Sequence, residues 1–188
     1  MELVVPSLDR LPAYADALRR GFWSDNLRRE DSAREELAKI AADPSAFVAS
    51  LDDPDAKGPP IRTSGGGTVP RLPGYRRWMW DDGFCGNVNF RWQKGTSDLP
   101  AHVLGHLGYA VVPWKQRRGY ATRAVALVLP EARRLGLTHI DLTTDPDNIA
   151  SQKVITANGG HLVERFTHLP AHGGGEGLRF RIPLARAA

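Results

Sequence analysis

A single cysteine, Cys85, in a chain of 188 residues excludes an intrachain disulfide framework. Nothing near it in sequence resembles a base partner, so it reads as a small hydrophobe in a strand rather than as a nucleophile. No apolar run approaches the ~20 residues of a membrane span. Met1-Glu2-Leu3-Val4-Val5-Pro6 also lacks the basic-then-apolar order of a secretory signal. The expected compartment is therefore the cytoplasm, with no membrane partner. His, Cys and carboxylates nowhere cluster at metal-ligand spacing, so no metal is expected. Lysine is scarce. Arginine carries most of the positive charge, in pairs such as Arg19-Arg20, Arg28-Arg29, Arg76-Arg77 and Arg133-Arg134 that alternate with acids as solvated faces do. A net charge of +4 spread in this way does not point to nucleic acid.

What is present is the composition of one soluble domain, 41% hydrophobic and 24% charged, without internal repeats and long enough to bury a full core. Residues 1–75 hold two helical patterns, Leu11 to Arg20 and Ser32 to Ala42, the second with Asp31 or Ser32 as N-cap. A Pro- and Gly-rich irregular connection, Asp52 to Pro73, follows; its Gly65-Gly66-Gly67 run precedes no helix and reads as flexible spacing. Residues 76–188 begin with two strands, Arg76 to Trp80 and Phe84 to Trp92, joined by the hairpin turn Asp81-Asp82-Gly83. Trp78, Trp80, Phe90 and Trp92 are core candidates. Leu162 to Thr167 and Leu178 to Pro183 form a final antiparallel pair around a Gly-rich loop containing His172.

The informative stretch is Val111-Val112-Pro113-Trp114-Lys115-Gln116-Arg117-Arg118-Gly119-Tyr120-Ala121-Thr122. A strand, Gly105 to Val112, ends at Pro113. A helix follows in which Ala121, Val125, Val128, Ala132 and Leu135 recur at three- and four-residue spacing, Pro130 should kink the chain, and Gly136 stands at the C-cap. A basic glycine turn between strand and helix presents amide N–H groups, a helix N-terminus and guanidinium charge to one point, which suits a pyrophosphate. The turn has neither the Gly-Lys-Ser/Thr of a Walker A loop nor three dinucleotide-binding glycines. Read alone, it is also compatible with a solvated turn opening an ordinary helix.

Gln116-x-x-Gly119-x-Ala121 resembles the Q/R-x-x-G-x-G/A pyrophosphate signature of the GCN5-related N-acetyltransferase superfamily. Downstream, the strand His139 to Thr144 and the helix opening Asn148-Ile149-Ala150-Ser151, ending at Asn158-Gly159-Gly160, resemble that superfamily's second block. His106-Leu107-Gly108-Tyr109 is similar to a bacterial group within it whose acceptors the motifs do not fix. The resemblance implies an α/β (α+β) fold over residues 1–188 as one domain: a mixed, mostly antiparallel sheet flanked by helices, splayed between two central parallel strands. It also implies an enzyme moving an acetyl group from acetyl-CoA to a small-molecule or peptide amine by direct attack, with a homodimer left open.

On that resemblance, amides from Arg117 to Thr122 hold the pyrophosphate, with Gln116 and Tyr120 in the same turn and Arg117 and Arg118 adding charge. Gly119 permits close approach and Ala121 keeps the helix start uncrowded. Backbone groups of Val111 and Val112 pair with the pantetheine arm, which Asn148 and Ser151 flank, and one N–H faces the thioester carbonyl. A lysine-like amine, with pKa about 10.4, needs a proton acceptor at neutral pH. His106, on the strand entering the turn, is the first candidate for that base, with Asp141 and Thr143 as alternatives; Tyr109 on the opposite face reads as core. Relatives often carry a Tyr where this chain has Ile155, which removes the usual proton donor and leaves Ser151 as a substitute. Two other readings stay open: a non-catalytic acyl-CoA-binding or sensing module, and a nucleotide-binding protein.

Overall fold

The computed structural model describes residues 1–25, 28–62, 67–168 and 174–184; Gly65, Gly66 and His172 lie outside them. The elements run β1 (Glu2–Val4), α1 (Leu11–Arg19), α2 (Arg29–Ala42), α3 (Pro44–Ala49), β2 (Asp52–Asp53), β3 (Ile61–Arg62), β4 (Thr68–Val69), β5 (Gly74–Trp80) and β6 (Phe84–Arg91). They continue as β7 (Leu107–Val111), α4 (Tyr120–Arg134), β8 (His139–Thr144), α5 (Ile149–Ala157), β9 (His161–Thr167) and β10 (Glu176–Pro183). This is the mixed α/β architecture with antiparallel sheets and flanking helices that the sequence implied.

Alternation along β5 and β6 builds two cores on two faces of one sheet, because successive strand residues point to opposite sides. Tyr75, Met79, Cys85, Val88 and Phe90 pack with Val125 and Val128 of α4 and with Ile140 of β8. Trp78 and Phe84 pack on the other side with Leu11, Tyr14 and Leu18 of α1 and with Phe47 of α3. Tyr14 is stacked 5.0 Å from Trp78 and meets Phe84 edge-on at 5.1 Å. Cys85 is fully buried, as a small hydrophobe would be. Asp82 and Gly83 both take positive φ in the β5–β6 turn.

Several boundaries differ from expectation. Helix α2 starts before Asp31 and Ser32, with Arg28 at a cap that receives no side-chain bond. Glu30 and Asp31 instead sit in its first turn, where negative charge favours the helix N-terminus, and Ser32 Oγ donates to the Arg29 carbonyl at 2.6 Å. Helix α3 was not foreseen; Pro44 begins it and Asp43 accepts from the Ala46 N–H at 2.9 Å. The connection 52–73 contains β2, β3 and β4, each only two residues long, and β1 adds to the edge of β5. In α4 the buried stripe runs through Ala124, Val125, Val128, Leu129 and Ala132, while Leu135 is exposed. Pro130 stays inside this helix; it and Ala126, whose carbonyl loses its helical donor, are both exposed, so water can satisfy that group.

The first sheet has the order β1-β5-β6-β7, with β2 also on β5, and the second has the order β8-β10-β9; among the described residues the paired strands of both sheets are antiparallel. The two sheets meet where the His106 N–H donates to the Asp141 carbonyl at 2.8 Å. Gly105 makes that contact close: a Cβ there would lie 2.9 Å from the same carbonyl oxygen. Beyond the junction, β7 and β8 part.

Candidate active site

The parted strands enclose a cavity of about 870 Å³. Leu107 to Val111 form one wall and Leu142 to Asp145 the other, so numbering rises along both strands in the same direction from the junction, which makes them parallel. The connection after α1 contributes Phe22 and Trp23, and the end of β9 contributes His168. Among the described residues no helix is long and apolar enough to cross a membrane, and no group of three or more His, Cys, Asp or Glu is placed to hold a metal ion.

At the end of β7, Pro113 to Lys115 form a 3-10 turn and Gly119 caps α4 at φ +77. A Cβ on Gly119 would meet nothing within 4 Å, so the glycine serves backbone geometry and an open approach rather than packing. The first bond of α4 is made by the Arg123 N–H to the Gly119 carbonyl at 3.0 Å. The amides of Tyr120, Ala121 and Thr122 precede it and have no intrahelical acceptor. Gln116, Arg117, Gly119, Tyr120, Ala121 and Thr122 all line the cavity.

Arg118 and Val112 are placed otherwise than expected. Arg118 is exposed and does not line the cavity. Val112 is fully buried; its N–H donates to the Cys85 carbonyl at 2.9 Å and its carbonyl accepts from Lys115 at 3.0 Å, so neither group is free for a ligand. Lys115 lines the cavity, yet its ammonium is held by the carbonyls of Asp81 (3.0 Å) and Asp82 (3.2 Å) in the β5–β6 turn. Val111 does line the cavity, and its carbonyl accepts from Gln116 Nε2 at 3.5 Å.

At the start of α5, Asn148 Oδ1 accepts from the Ser151 N–H at 3.0 Å and so caps the helix with a side chain facing the cavity. Asn158, at the far end of α5, donates to the Thr122 carbonyl at 3.1 Å and ties this helix to the turn. Ile155 is fully buried in the core. Tyr109 packs against the core, as expected. Its hydroxyl reaches across the cavity wall to Ser151 Oγ at 2.9 Å, and burial pushes its pKa up to about 12. A phenol and a hydroxyl thus sit one helical turn from Ile155.

The two candidate bases lie elsewhere. His106 is fully buried and outside the cavity; its Nδ1 accepts from the Asp141 N–H at 3.0 Å, and burial pushes its pKa down to about 4. By strand alternation it would share a face with Gly108, Ala110 and Val112, but it lies one residue before β7 and its ring meets the backbone of β8, where it pins the junction. Asp141 is also buried and outside the cavity, in a bidentate pair with Arg181 at 2.8 and 2.9 Å. Burial raises its pKa, but the Arg181 hydrogen bonds and charge outweigh this and hold it below the usual carboxylate range. Thr143 does line the cavity.

A sheet split between parallel strands, with a glycine-capped helix N-terminus at the mouth of the split, defines an acyl-transferase type of α/β fold. The acetyltransferase (GNAT) domain family matches residues 26–161, and the chain belongs to that family. Solved structures with this fold include a chimera of spermidine N-acetyltransferase SpeG from Vibrio cholerae and hSSAT, at 12% identity over 98% of this chain and 97% of that one, TM-score 0.56. Another is the microcin self-immunity acetyltransferase MccE in complex with acetyl-CoA and AMP, at 10% identity over 96% and 91% of the two chains, TM-score 0.57. A third is yncA from Salmonella typhimurium with acetyl-CoA, at 14% identity over 94% and 87%, TM-score 0.51. At these identities the likeness is one of fold. No curated protein matches the chain.

Proposed function

We propose that this chain, acting as one domain, transfers an acetyl group from acetyl-CoA to an amine by direct attack. The observation that carries the reading is the cavity between β7 and β8, which has unused helix-start amides at its mouth and room for both substrates. In this reading the amides of Tyr120, Ala121 and Thr122 bind the pyrophosphate, Gly119 gives it access, and Arg117 adds charge. Arg118 contributes only at longer range. The unpaired edge of β7 up to Val111 holds the pantetheine amides, and Asn148 and Ser151 flank the arm. Acetyl-CoA supplies the acyl group as an activated thioester.

Attack by the amine forms a C–N bond and breaks the C–S bond, leaving a proton on nitrogen and a thiolate on coenzyme A. Tyr109, hydrogen-bonded to Ser151, is the hydroxyl placed to return a proton to that thiolate in place of the Tyr that Ile155 displaces. Neither His106 nor Asp141 lines the cavity, so removing the amine proton belongs to a cavity-lining group. The buried Ile155 is the one observation that favours the other reading, a non-catalytic acyl-CoA sensor. Release of free thiol from acetyl-CoA in the presence of an amine panel decides between them: thiol release supports transfer, and acetyl-CoA binding without turnover supports the sensor.

A further inference from the structure

His168 follows the last residue of β9, and nothing in its sequence surroundings marks it. Its side chain is 8% exposed, lines the cavity, and has no hydrogen-bond partner on either ring nitrogen among the described residues. Leaving two buried polar atoms unpaired costs stability unless a ligand or water completes them. The ring is nevertheless held in place. Its backbone N–H donates to the Gly175 carbonyl at 2.8 Å, and Phe166 packs edge-on at 4.8 Å. Gly177 lies beneath it, where a Cβ would come within 2.6 Å of Nε2. Among the described residues a carboxylate faces it: Asp145, just after β8, has Oδ1 3.5 Å from His168 Nε2 and is largely exposed. Two chain ends from different strands of the second sheet thus bring an imidazole and a carboxylate into the cavity wall.

Building on the proposed acetyl transfer, we infer that His168 is the catalytic base for the acceptor, that Asp145 is its positioning residue, and that the acceptor is a cationic amine. The exposed carboxylate draws an ammonium group toward the imidazole. His168 takes one proton from the ammonium nitrogen. The freed lone pair then forms the C–N bond with the thioester carbonyl carbon, the C–S electrons leave with the sulfur, and the thiolate takes a proton from the Tyr109 hydroxyl. The tyrosinate takes the second proton from the product nitrogen, and the imidazolium beside Asp145 returns its proton to solvent, so both residues regain their starting state.

The test is thiol release from acetyl-CoA with three probes: a polyamine, an amino-acid amide and an α-amino peptide. With the amine that the parent uses best, His168→Gln should lose about 10²-fold in kcat, a typical general-base contribution, while its acetyl-CoA Kd stays within about twofold of the parent. In kcat, Asp145→Asn should lose roughly tenfold, Asp145→Glu should recover most of that loss, and adding Asp145→Asn to His168→Gln should cost nothing further, because in the proton-transfer step the carboxylate acts through the ring; its attraction for the ammonium appears in KM. Gly177→Ala, which pushes on the ring and leaves the imidazole chemistry intact, should lower kcat with the same unchanged Kd. A His168→Gln protein that binds acetyl-CoA and keeps parental kcat overturns the inference alone. Absence of thiol release by the parent with all three probes overturns the transfer reading and the inference with it. A double variant worse than His168→Gln removes Asp145 from the role given to it.

Discussion

The two sides of the cavity are built in different ways. The side formed by β7, the basic turn and the start of α5 comes from one stretch of chain, and its groups are largely backbone: amides ahead of the first bond of α4, an unpaired strand edge and an Asn cap. Other lining groups are assembled from segments far apart in sequence, Phe22 and Trp23 after α1 and His168 after β9, and their chemistry is in side chains. A local device that needs glycine, a helix start and an Asn cap leaves a signature at fixed spacing. A constellation made by tertiary contact leaves none. The first side suits a ligand common to a whole family, and the second suits an acceptor that can change from one member to the next.

The connection after α1 is anchored by a hydrogen-bond network centred on Glu36 and by Arg20 stacked 3.9 Å over the Trp114 ring. Ser24 Oγ donates to Glu36 at 2.8 Å, Tyr14 also donates to Glu36, and Arg76 from β5 bonds Glu36 and the Tyr14 hydroxyl, each at 3.0 Å. Burial raises the Tyr14 pKa, so it remains a donor throughout the ordinary pH range. This network ties the segment that follows Phe22 and Trp23 to α2 and to the sheet.

The largest expected effect breaks the turn side alone. Gly119→Val must hold a β-branched residue at positive φ and place methyl groups where the phosphate approaches, so acetyl-CoA affinity should fall by at least about 10²-fold, near 3 kcal/mol. Because no atom lies within 4 Å of the added Cβ, the protein should stay folded, with unchanged far-UV circular dichroism. Tyr109→Phe comes next. It should lower kcat by about tenfold, around 1.4 kcal/mol, with little change in acetyl-CoA Kd, since it removes a proton donor and not a binding group. Equal kcat in the variant would return Tyr109 to a packing role.

A third prediction concerns the junction that both sides share. His106 has a folded pKa near 4 against an ordinary 6.5, so between these values the unfolded chain binds the extra proton and the folded chain does not. Stability is then complete above about pH 6.5 and falls as pH drops toward 4, at up to about 1.4 kcal/mol per pH unit. His139, lowered in the same direction, adds to that slope, whereas Asp141 acts below the ordinary carboxylate range. Urea unfolding at several pH values should show a flatter dependence in His106→Gln than in the parent. The smallest effect sharpens the turn itself. Arg117→Gln should reduce the salt dependence of acetyl-CoA affinity, and Arg118→Gln should change it less, because only Arg117 lines the cavity. Equal slopes in the two variants would show that distance to the cavity does not decide their effect.

Much of the architecture was legible for a physical reason: β8 and the Asn148 cap of α5 follow local rules of alternation and capping that survive tertiary context. The place of His106 was not. Period-two reasoning puts it on one face with Gly108, Ala110 and Val112, but alternation says nothing of a residue one step outside the regular strand, and its ring is captured by the Asp141 N–H. Tyr109 was assigned the correct face, yet nothing local reports that a long side chain ends against a helix 42 residues later. For His168 no signal could have served, because its distinction lies in being buried, unpartnered and close to Asp145, all of which exist only in the fold.

The central claim is that the split between β7 and β8 receives acetyl-CoA through the turn at 116–122, and thermal unfolding in the presence of acetyl-CoA tests it most directly. A ligand that binds only the folded state at a hundredfold excess over its Kd stabilises it by about 2.7 kcal/mol, so the parent midpoint should climb with acetyl-CoA concentration. A parent midpoint that stays fixed across the titration contradicts the account.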